Sequence, residues 1–266
     1  MTTLSARVLP QPVYGAGWRL VERNFLVYKR AWIVFLTGFI EPVLYLFSIG
    51  IGVADLVDDF RLSDGTVIGY TEFVAPALLA SAAMNGALFD STYNIFFRMK
   101  YAKLYDAVLA TPLRPWDVAT GEITWALLRG TAYSAMFVAV MVAMGLVSSW
   151  WALLMLPAAM LIGYAFAGAG MALTTWMKSW QDFEYVQLAI MPMFLFSGTF
   201  YPLDTYPSGL QWIVQITPLY HGVELCRGFA TGTIGWQIPI AVGYLAVMGT
   251  IGMYVASRRL GTLLLH

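Results

Sequence analysis

The sequence predicts an all-α membrane protein with six transmembrane helices. Three observations predict it. First, 59% of the 266 residues are hydrophobic and only 11% are charged, against roughly 45–50% and about 25% in soluble domains. Such a chain cannot build a water-facing surface, and it is too apolar and too weakly charged to be disordered. Second, six apolar runs of about 20 residues, each bounded by charge, are long enough to cross the hydrocarbon core of a bilayer. Third, the basic residues gather in every second connection between those runs.

The elements follow in order. Residues 1–30 form a first segment, in which Trp18, Val21, Phe25 and Tyr28 fall at i, i+3, i+7 and i+10 while Arg19, Glu22, Arg23, Lys29 and Arg30 fill much of the rest. That pattern predicts an amphipathic helix in the membrane interface. The transmembrane region follows over 31–257, with spans at about 31–54, 73–97, 123–147, 151–177, 185–203 and 236–255, and 258–266 reads as a tail. The first run is too long for a signal peptide, lacks a small-residue cleavage site and is followed by five more.

An even number of spans puts both ends of the chain on one side. That side holds Arg7, Arg19, Arg23, Lys29, Arg30, Arg98, Lys100, Lys103, Arg114, Lys178, Arg258 and Arg259, with Arg129 close by; the other has Arg61 and Arg227. The asymmetry predicts cytoplasmic termini. The outer loop Asp55–Tyr70, with Asp55, Asp58, Asp59 and Asp64, reads as short and solvated, and Ser148–Trp150 reads as a tight turn. The outer stretch Asp204–Gly235 differs: its only charges are Asp204, Glu224 and Arg227, yet Pro207, Gly209 and Pro218 break it too often for a span. Short re-entrant helices buried against protein are the expectation. No soluble domain and no internal repeat is visible.

The chemistry is sparse. With 15 basic and 15 acidic residues, nothing points to nucleic acid. One cysteine, Cys226, and two histidines, His221 and His266, exclude a disulfide framework and a Cys- or His-based metal site. There is no G-x-x-x-x-G-K-[ST] loop, since Met177 precedes Lys178-Ser179, and no H-E-x-x-H. Ser197 and His221 could be imagined as an intramembrane Ser–His pair, but a serine beside Gly198 in a membrane helix more often serves packing or a kink.

A few polar points sit inside the spans. Glu41, followed by Pro42, is expensive in mid-membrane, so it faces protein or water; a substrate path and a packing hydrogen bond are equally open. Asn85, Asp90 and Asn94 lie on span two, with Asp90 and Asn94 one turn apart on one face, fitting either a polar lumen or interhelical hydrogen bonds. Gly163 with Ala167, and Gly168 with Ala172, give small-xxx-small spacing for helix packing. Met191, Met193, Phe194 and Phe196 on span five suit a greasy cavity or plain packing. Lys100–Ala110 can form a short amphipathic helix, which Thr111-Pro112-Leu113-Arg114-Pro115 then breaks. This rigid knob is either a docking element or a plain connector.

Two stretches carry a family resemblance. Leu104-Tyr105-Asp106-Ala107-Val108-Leu109-Ala110-Thr111-Pro112-Leu113-Arg114-Pro115-Trp116-Asp117 resembles the coupling-helix segment of the type-2 ABC exporter permeases. Phe194-Leu195-Phe196-Ser197-Gly198-Thr199-Phe200-Tyr201-Pro202-Leu203, then Pro207, Trp212 and Thr217-Pro218-Leu219-Tyr220-His221-Gly222-Val223-Glu224-Leu225-Cys226-Arg227, is similar to the longer signature of that family. The His221–Arg227 part most resembles the nodulation-type lipo-oligosaccharide exporters, with daunorubicin-type drug exporters close by.

The resemblance implies the ABC-2 exporter fold and a half-transporter in a bacterial inner membrane. A second copy or a paralogue would complete twelve spans, and two separate ATPase subunits, carrying ATP and Mg, would dock from the cytoplasm. The coupling residues it implies are Lys100, Tyr101, Lys103, Leu104, Tyr105, Asp106, Leu109, Thr111, Pro112 and Leu113. The re-entrant cap would use Ser197, Gly198, Pro202, Pro207, Pro218, His221, Glu224 and Arg227. A lipid-linked, glycolipid or amphiphilic substrate would enter from the bilayer, with Glu41, Asn85, Asp90, Asn94, Met191, Phe194 and Phe196 as candidate path residues. No catalytic residue is expected in this chain. Two other classes compete. A membrane-embedded lipid-modifying enzyme would use Glu41, Asp90 or His221, but a D-G-x-x-A-R phosphatidyl-transfer motif is missing. A secondary transporter would show an inverted repeat, and none is visible.

Overall fold

The structure, a computed structural model, describes residues 17–30, 43–49 and 67–264, together with residues 40, 52, 53, 57, 60 and 61. Glu41 and most of the first expected span therefore lie outside the described residues, as does most of the outer loop before Tyr70. The chain begins with α1 (Trp18–Arg30), and residues 43–49 are helical. A two-residue antiparallel ladder follows, β1 (Phe60–Arg61) on β2 (Val67–Ile68), with Phe60 opposite Ile68. Then come α2 (Tyr70–Lys100), α3 (Leu104–Leu109), α4 (Pro115–Ala143), α5 (Trp150–Thr174), α6 (Phe183–Leu195), α7 (Ser208–Ile216), α8 (Pro218–Thr231) and α9 (Gln237–Leu264). Among the described residues, α2, α4, α5 and α9 are the four helices long and apolar enough to cross a membrane.

Several boundaries differ from the sequence reading, each for a local reason. The run expected over 185–203 forms a helix only to Leu195. Thirteen residues rise about 20 Å, short of a bilayer core of about 30 Å. The Phe196 backbone leaves the helical region, Gly198 then turns the chain at φ +70°, a conformation in which a side chain would be strained, and Phe194 and Phe200 fold edge-to-face across the turn, 5.2 Å between centroids. α4 starts at Pro115 rather than near residue 123, because Pro115 suits a first helical turn and the Asp117 carboxylate accepts the Arg114 backbone N–H at 3.0 Å. The expected tail is instead the end of α9. Arg258 and Arg259 stay helical, since the Arg259 guanidinium lies 4.2 Å over Trp176 and donates to the Thr175 hydroxyl at 3.0 Å.

The helices pack through small residues, as lipid-embedded helices do without a hydrophobic drive between them. A methyl on Gly168 of α5 would lie 2.6 Å from the Gly249 carbonyl oxygen of α9, and one on Gly252 would lie 2.5 Å from the Ala169 nitrogen. The α5–α9 seam is thus backbone against backbone. α2 is enclosed by α4, α5 and α8, and its fully buried positions include Val74, Ala75, Ala77, Leu79, Ala80 and Met84.

Halfway down, α2 widens into a π-helical stretch at Asp90–Asn94. Such a stretch breaks the ordinary i to i−4 ladder. The Thr174 hydroxyl of α5 donates to the Ser91 carbonyl there at 3.0 Å, and Gly170 admits the crowded side chain of Ser91.

α1 turns a mixed face inward. Trp18 and Phe25 of the expected apolar stripe are 57% and 59% exposed, whereas its Val21 is buried against the protein with Gly17, Leu20 and Asn24. A bilayer takes apolar side chains readily and polar ones at a cost, so Trp18 and Phe25 can be left to lipid while Asn24 turns inward.

Candidate functional site

At the end of the molecule rich in basic residues, a carboxylate gathers four elements. Glu122, near the start of α4, is 4% exposed. Its Oε2 accepts the Asn24 amide of α1 at 3.1 Å and pairs with the Arg98 guanidinium of α2. Its Oε1 accepts the Tyr105 hydroxyl of α3 at 3.1 Å. Tyr105 is fully buried. Burial pushes its phenol well above the ordinary value, and the adjacent Glu122 carboxylate pushes it further, so it remains a donor across physiological pH.

Two turns further along α4, Arg129 pairs with Asp90 at the head of the π-helical stretch and donates to the Tyr28 hydroxyl of α1 at 2.9 Å. Asn94 donates to the same Asp90 carboxylate at 2.7 Å. The Arg129 guanidinium also lies 5.3 Å from the Tyr28 ring and 5.7 Å from the Tyr133 ring, a favourable setting for a cation. The two sets form a ladder. α2 carries Asp90 then Arg98, α4 carries Glu122 then Arg129, and the charges cross. Asn24 and Tyr28, one turn apart on α1, contribute to one rung each.

Beside the ladder, an aromatic cluster holds the start of α6. Tyr93 stacks on Phe183 at 4.1 Å, and Trp180 meets Phe96 at 5.4 Å and Tyr101 at 5.8 Å. At the opposite end of the molecule a guanidinium plays the organising part. Arg227 of α8 donates to the Gly198 carbonyl at 2.7 Å, the Phe73 carbonyl at 3.4 Å and the Glu224 carboxylate at 3.2 Å. It also lies 3.8 Å over the Phe73 ring.

The expected coupling residues fall into two sets. Lys100, Tyr101, Lys103, Asp106, Thr111 and Pro112 are exposed, Leu104, Leu109 and Leu113 are half-buried, and Tyr105 faces inward to Glu122. The expected path residues scatter. Asp90 and Asn94 belong to the ladder, Asn85 lies on an exposed face of α2, Met191 is 66% exposed on α6, Phe196 is exposed just beyond it, and Phe194 packs on Phe200.

Of the expected cap, Ser197, Gly198 and Arg227 are buried, Pro202, Pro218, His221 and Glu224 are half-buried, and Pro207 is exposed. The Ser197 hydroxyl bonds the Phe194 carbonyl at 3.2 Å and Thr199 at 2.8 Å, while the His221 ring stacks on Tyr244 at 4.3 Å. The imagined Ser–His pair thus has its partners elsewhere. Sequence reasoning did not place Asn24, Arg98, Glu122 or Arg129 in a site. The available signal was spacing: Glu122 and Arg129 are two turns apart, as are Asp90 and Arg98 within about a residue.

Four helices long and apolar enough to cross a membrane, among the described residues, define a polytopic α-helical membrane protein. Comparison with known proteins narrows that class. The chain belongs to the ABC-2 type transporter family, whose model matches residues 16–231, and it is a permease of that type rather than an enzyme. It is 32% identical to Nodulation protein J of Rhizobium leguminosarum bv. viciae over 253 residues, covering 94% of this chain and 95% of that one. The identity is 33% over 254 residues with the protein of the same name from R. leguminosarum bv. trifolii, covering 94% of each. A probable multidrug ABC transporter permease of Escherichia coli K12, YbhR, is 24% identical over 162 residues, 60% of this chain and 44% of that one.

Proposed function

We propose that this chain is one half of an exporter that moves a lipid-linked, glycolipid or amphiphilic substrate out of the inner leaflet or cytoplasm. A second copy or a paralogue supplies the other half, and six spans per chain sit in a bacterial inner membrane with both termini cytoplasmic. Two ATPase subunits, which carry ATP and Mg, dock on the exposed side of α3 through Lys100, Tyr101, Lys103, Asp106, Thr111 and Pro112. Leu104, Tyr105, Leu109 and Leu113 hold that knob from within. The stretch from Pro202 to Arg227 acts as a re-entrant outer cap. Met191, Phe194 and Phe196, with Asn85 and Glu41, border the substrate path; Asp90 and Asn94 act on it through the ladder.

One observation carries the reading best. Asp106 and Ala107 of α3 are exposed, as are Ala110, Thr111 and Pro112 in the turn after it, while the opposite side of the helix is rooted by the fully buried Tyr105. A plain connector needs no such root. The similarity to Nodulation protein J, over 94% of this chain and 95% of that one, supports a complete permease half rather than a fragment of one.

The test is purification of the tagged chain from its native membrane in mild detergent, with identification of bound subunits and an ATP hydrolysis assay. A stoichiometric ATPase, lost from Asp106→Arg, is the expected result. A chain that purifies alone from a fully solubilised membrane overturns the reading. Membrane-impermeant thiol labelling of Lys103→Cys and Ser208→Cys checks the orientation: position 208 reacts from outside and position 103 only after the membrane is opened.

A further inference from the structure

α3 has only six residues, and its links to its neighbours are pliable. Lys103, just before it, sits in the left-handed region at φ +44°, which a side chain adopts only at a cost. The turn Thr111–Arg114 follows it before α4 begins at Pro115. A push on such a helix would be absorbed by those two links unless something else tied α3 to the membrane helices. Leu104, Val108 and Leu109 give apolar packing against the core, and Tyr105 adds the directional tie, a hydrogen bond that ends on Glu122.

Resting on the permease reading, we propose that Tyr105 and Glu122 are positioning residues that join α1, α2, α3 and the first half of α4 into one lever, so that displacement of α3 reaches the Asp90–Arg129 rung inside the membrane.

The ladder makes the lever stiff. Because α2 and α4 each carry an acid then a base along the chain and run antiparallel, each acid faces a base, and sliding either helix breaks both pairs together. A buried charge without its partner is strongly disfavoured, the more so where lipid surrounds the protein. α1 cannot slide either, since Asn24 and Tyr28 are each held by a different rung. Among the described residues, Glu122 is the one on which α1, α2, α3 and α4 all meet. Its two oxygens divide the work, one for α3 and one for α1 and α2.

The test uses the purified complex with its ATPase, in nanodiscs, carrying pairs of spin labels at exposed positions. One pair, Glu22→Cys with Ala107→Cys, lies within the lever; the other, Ala107→Cys with Thr262→Cys, spans from the lever to α9. Distances are compared with and without ATP plus vanadate. The expected result is a narrow 22–107 distance that nucleotide leaves unchanged, beside a 107–262 distance that shifts. Tyr105→Phe keeps the ring and its packing but removes the hydroxyl; it should broaden the 22–107 distance and reduce the nucleotide-linked shift at 107–262 while ATP hydrolysis persists. Glu122→Gln serves as the second variant if Tyr105→Phe does not insert. A 22–107 distance that changes with nucleotide in the unsubstituted complex, or one that stays narrow in Tyr105→Phe, overturns the lever. An unsubstituted chain that retains no ATPase instead removes the permease reading on which the lever rests.

Discussion

The two ends of this molecule solve the same problem in opposite currencies of charge. At the basic end, the Glu122 carboxylate collects side chains from α1, α2 and α3. At the other end, the Arg227 guanidinium collects two backbone carbonyls, those of Gly198 and Phe73, and the side chain of its near neighbour Glu224. Side chains that meet on one point tie whole helices to one another, so that they move as one body. A backbone carbonyl is part of the chain path, so binding it fixes that path. The difference separates a joint from a clasp: Glu122 binds helix to helix, and Arg227 fixes the chain at Gly198 and Phe73.

Breaking the clasp should have the largest effect on stability. Arg227→Ala leaves carbonyls unpartnered and Glu224 without its cation, and should cost about 3–5 kcal/mol, read as a large drop in the thermal midpoint of the detergent-purified chain. Arg227→Lys should recover little, because an ammonium lacks the planar fork that reaches several acceptors. At the joint, Glu122→Gln should cost about 1.5–3 kcal/mol, since an amide cannot neutralise Arg98. Glu122→Leu with Arg98→Leu sharpens the contrast: removing both charges can be nearly neutral for stability, while transport should still be lost. Stability and transport falling together in that double variant would make the joint a simple staple.

Smaller effects grade the two ends further. Gly198→Ala should cost about 1–2 kcal/mol from the left-handed backbone alone, with Arg227 still in place. Tyr105→Phe should cost about 0.5–1.5 kcal/mol, less than any clasp variant, yet affect coupling more. The smallest effect belongs to a third, solvent-exposed junction. The Asp182 carboxylate accepts the backbone N–H groups of Lys178 and Ser179 at 2.6 and 3.1 Å, and these bonds hold it below the usual carboxylate range. A lowered folded value stabilises above the unfolded value of about 3.9 and loses that contribution as pH falls through the folded value. Amide protection factors at 178–183, corrected for the intrinsic pH dependence of exchange, should therefore fall only in acid, below about pH 4, and stay unchanged between pH 6 and 8.

Much of this architecture was legible in the sequence. Composition and apolar run length predicted the all-α membrane fold, and the motif around Leu104–Asp117 pointed to the exposed knob. The end of α6 was missed because hydrophobicity continues through Phe196 to Leu203, while the backbone leaves the helix at Phe196 and turns at Gly198, which an apolar run does not mark. The inward face of α1 was missed for a different reason. An apolar stripe marks what leaves water, and in a membrane it does not mark what touches protein; Asn24 does. Glu122 and Arg129 were visible as charges, but pairing them with Arg98 and Asp90 needed the antiparallel placement of α2 and α4. The contacts of Arg227 with Gly198 and Phe73 span 29 and 154 residues, and carbonyl acceptors leave no trace in side-chain chemistry.

The π-helical stretch at Asp90–Asn94 bears on how this gene can change. A π turn holds about one residue more than an α turn over the same rotation, so losing one residue from the stretch can return α2 to an ordinary helical path with Arg98 still facing Glu122. In the α-helical part that follows, each residue turns the helix by about 100°, and a one-codon loss between residues 95 and 97 would swing Arg98 away from Glu122 by that angle. The same deletion is thus absorbed or felt at α3 according to where it falls, though it alters no residue there.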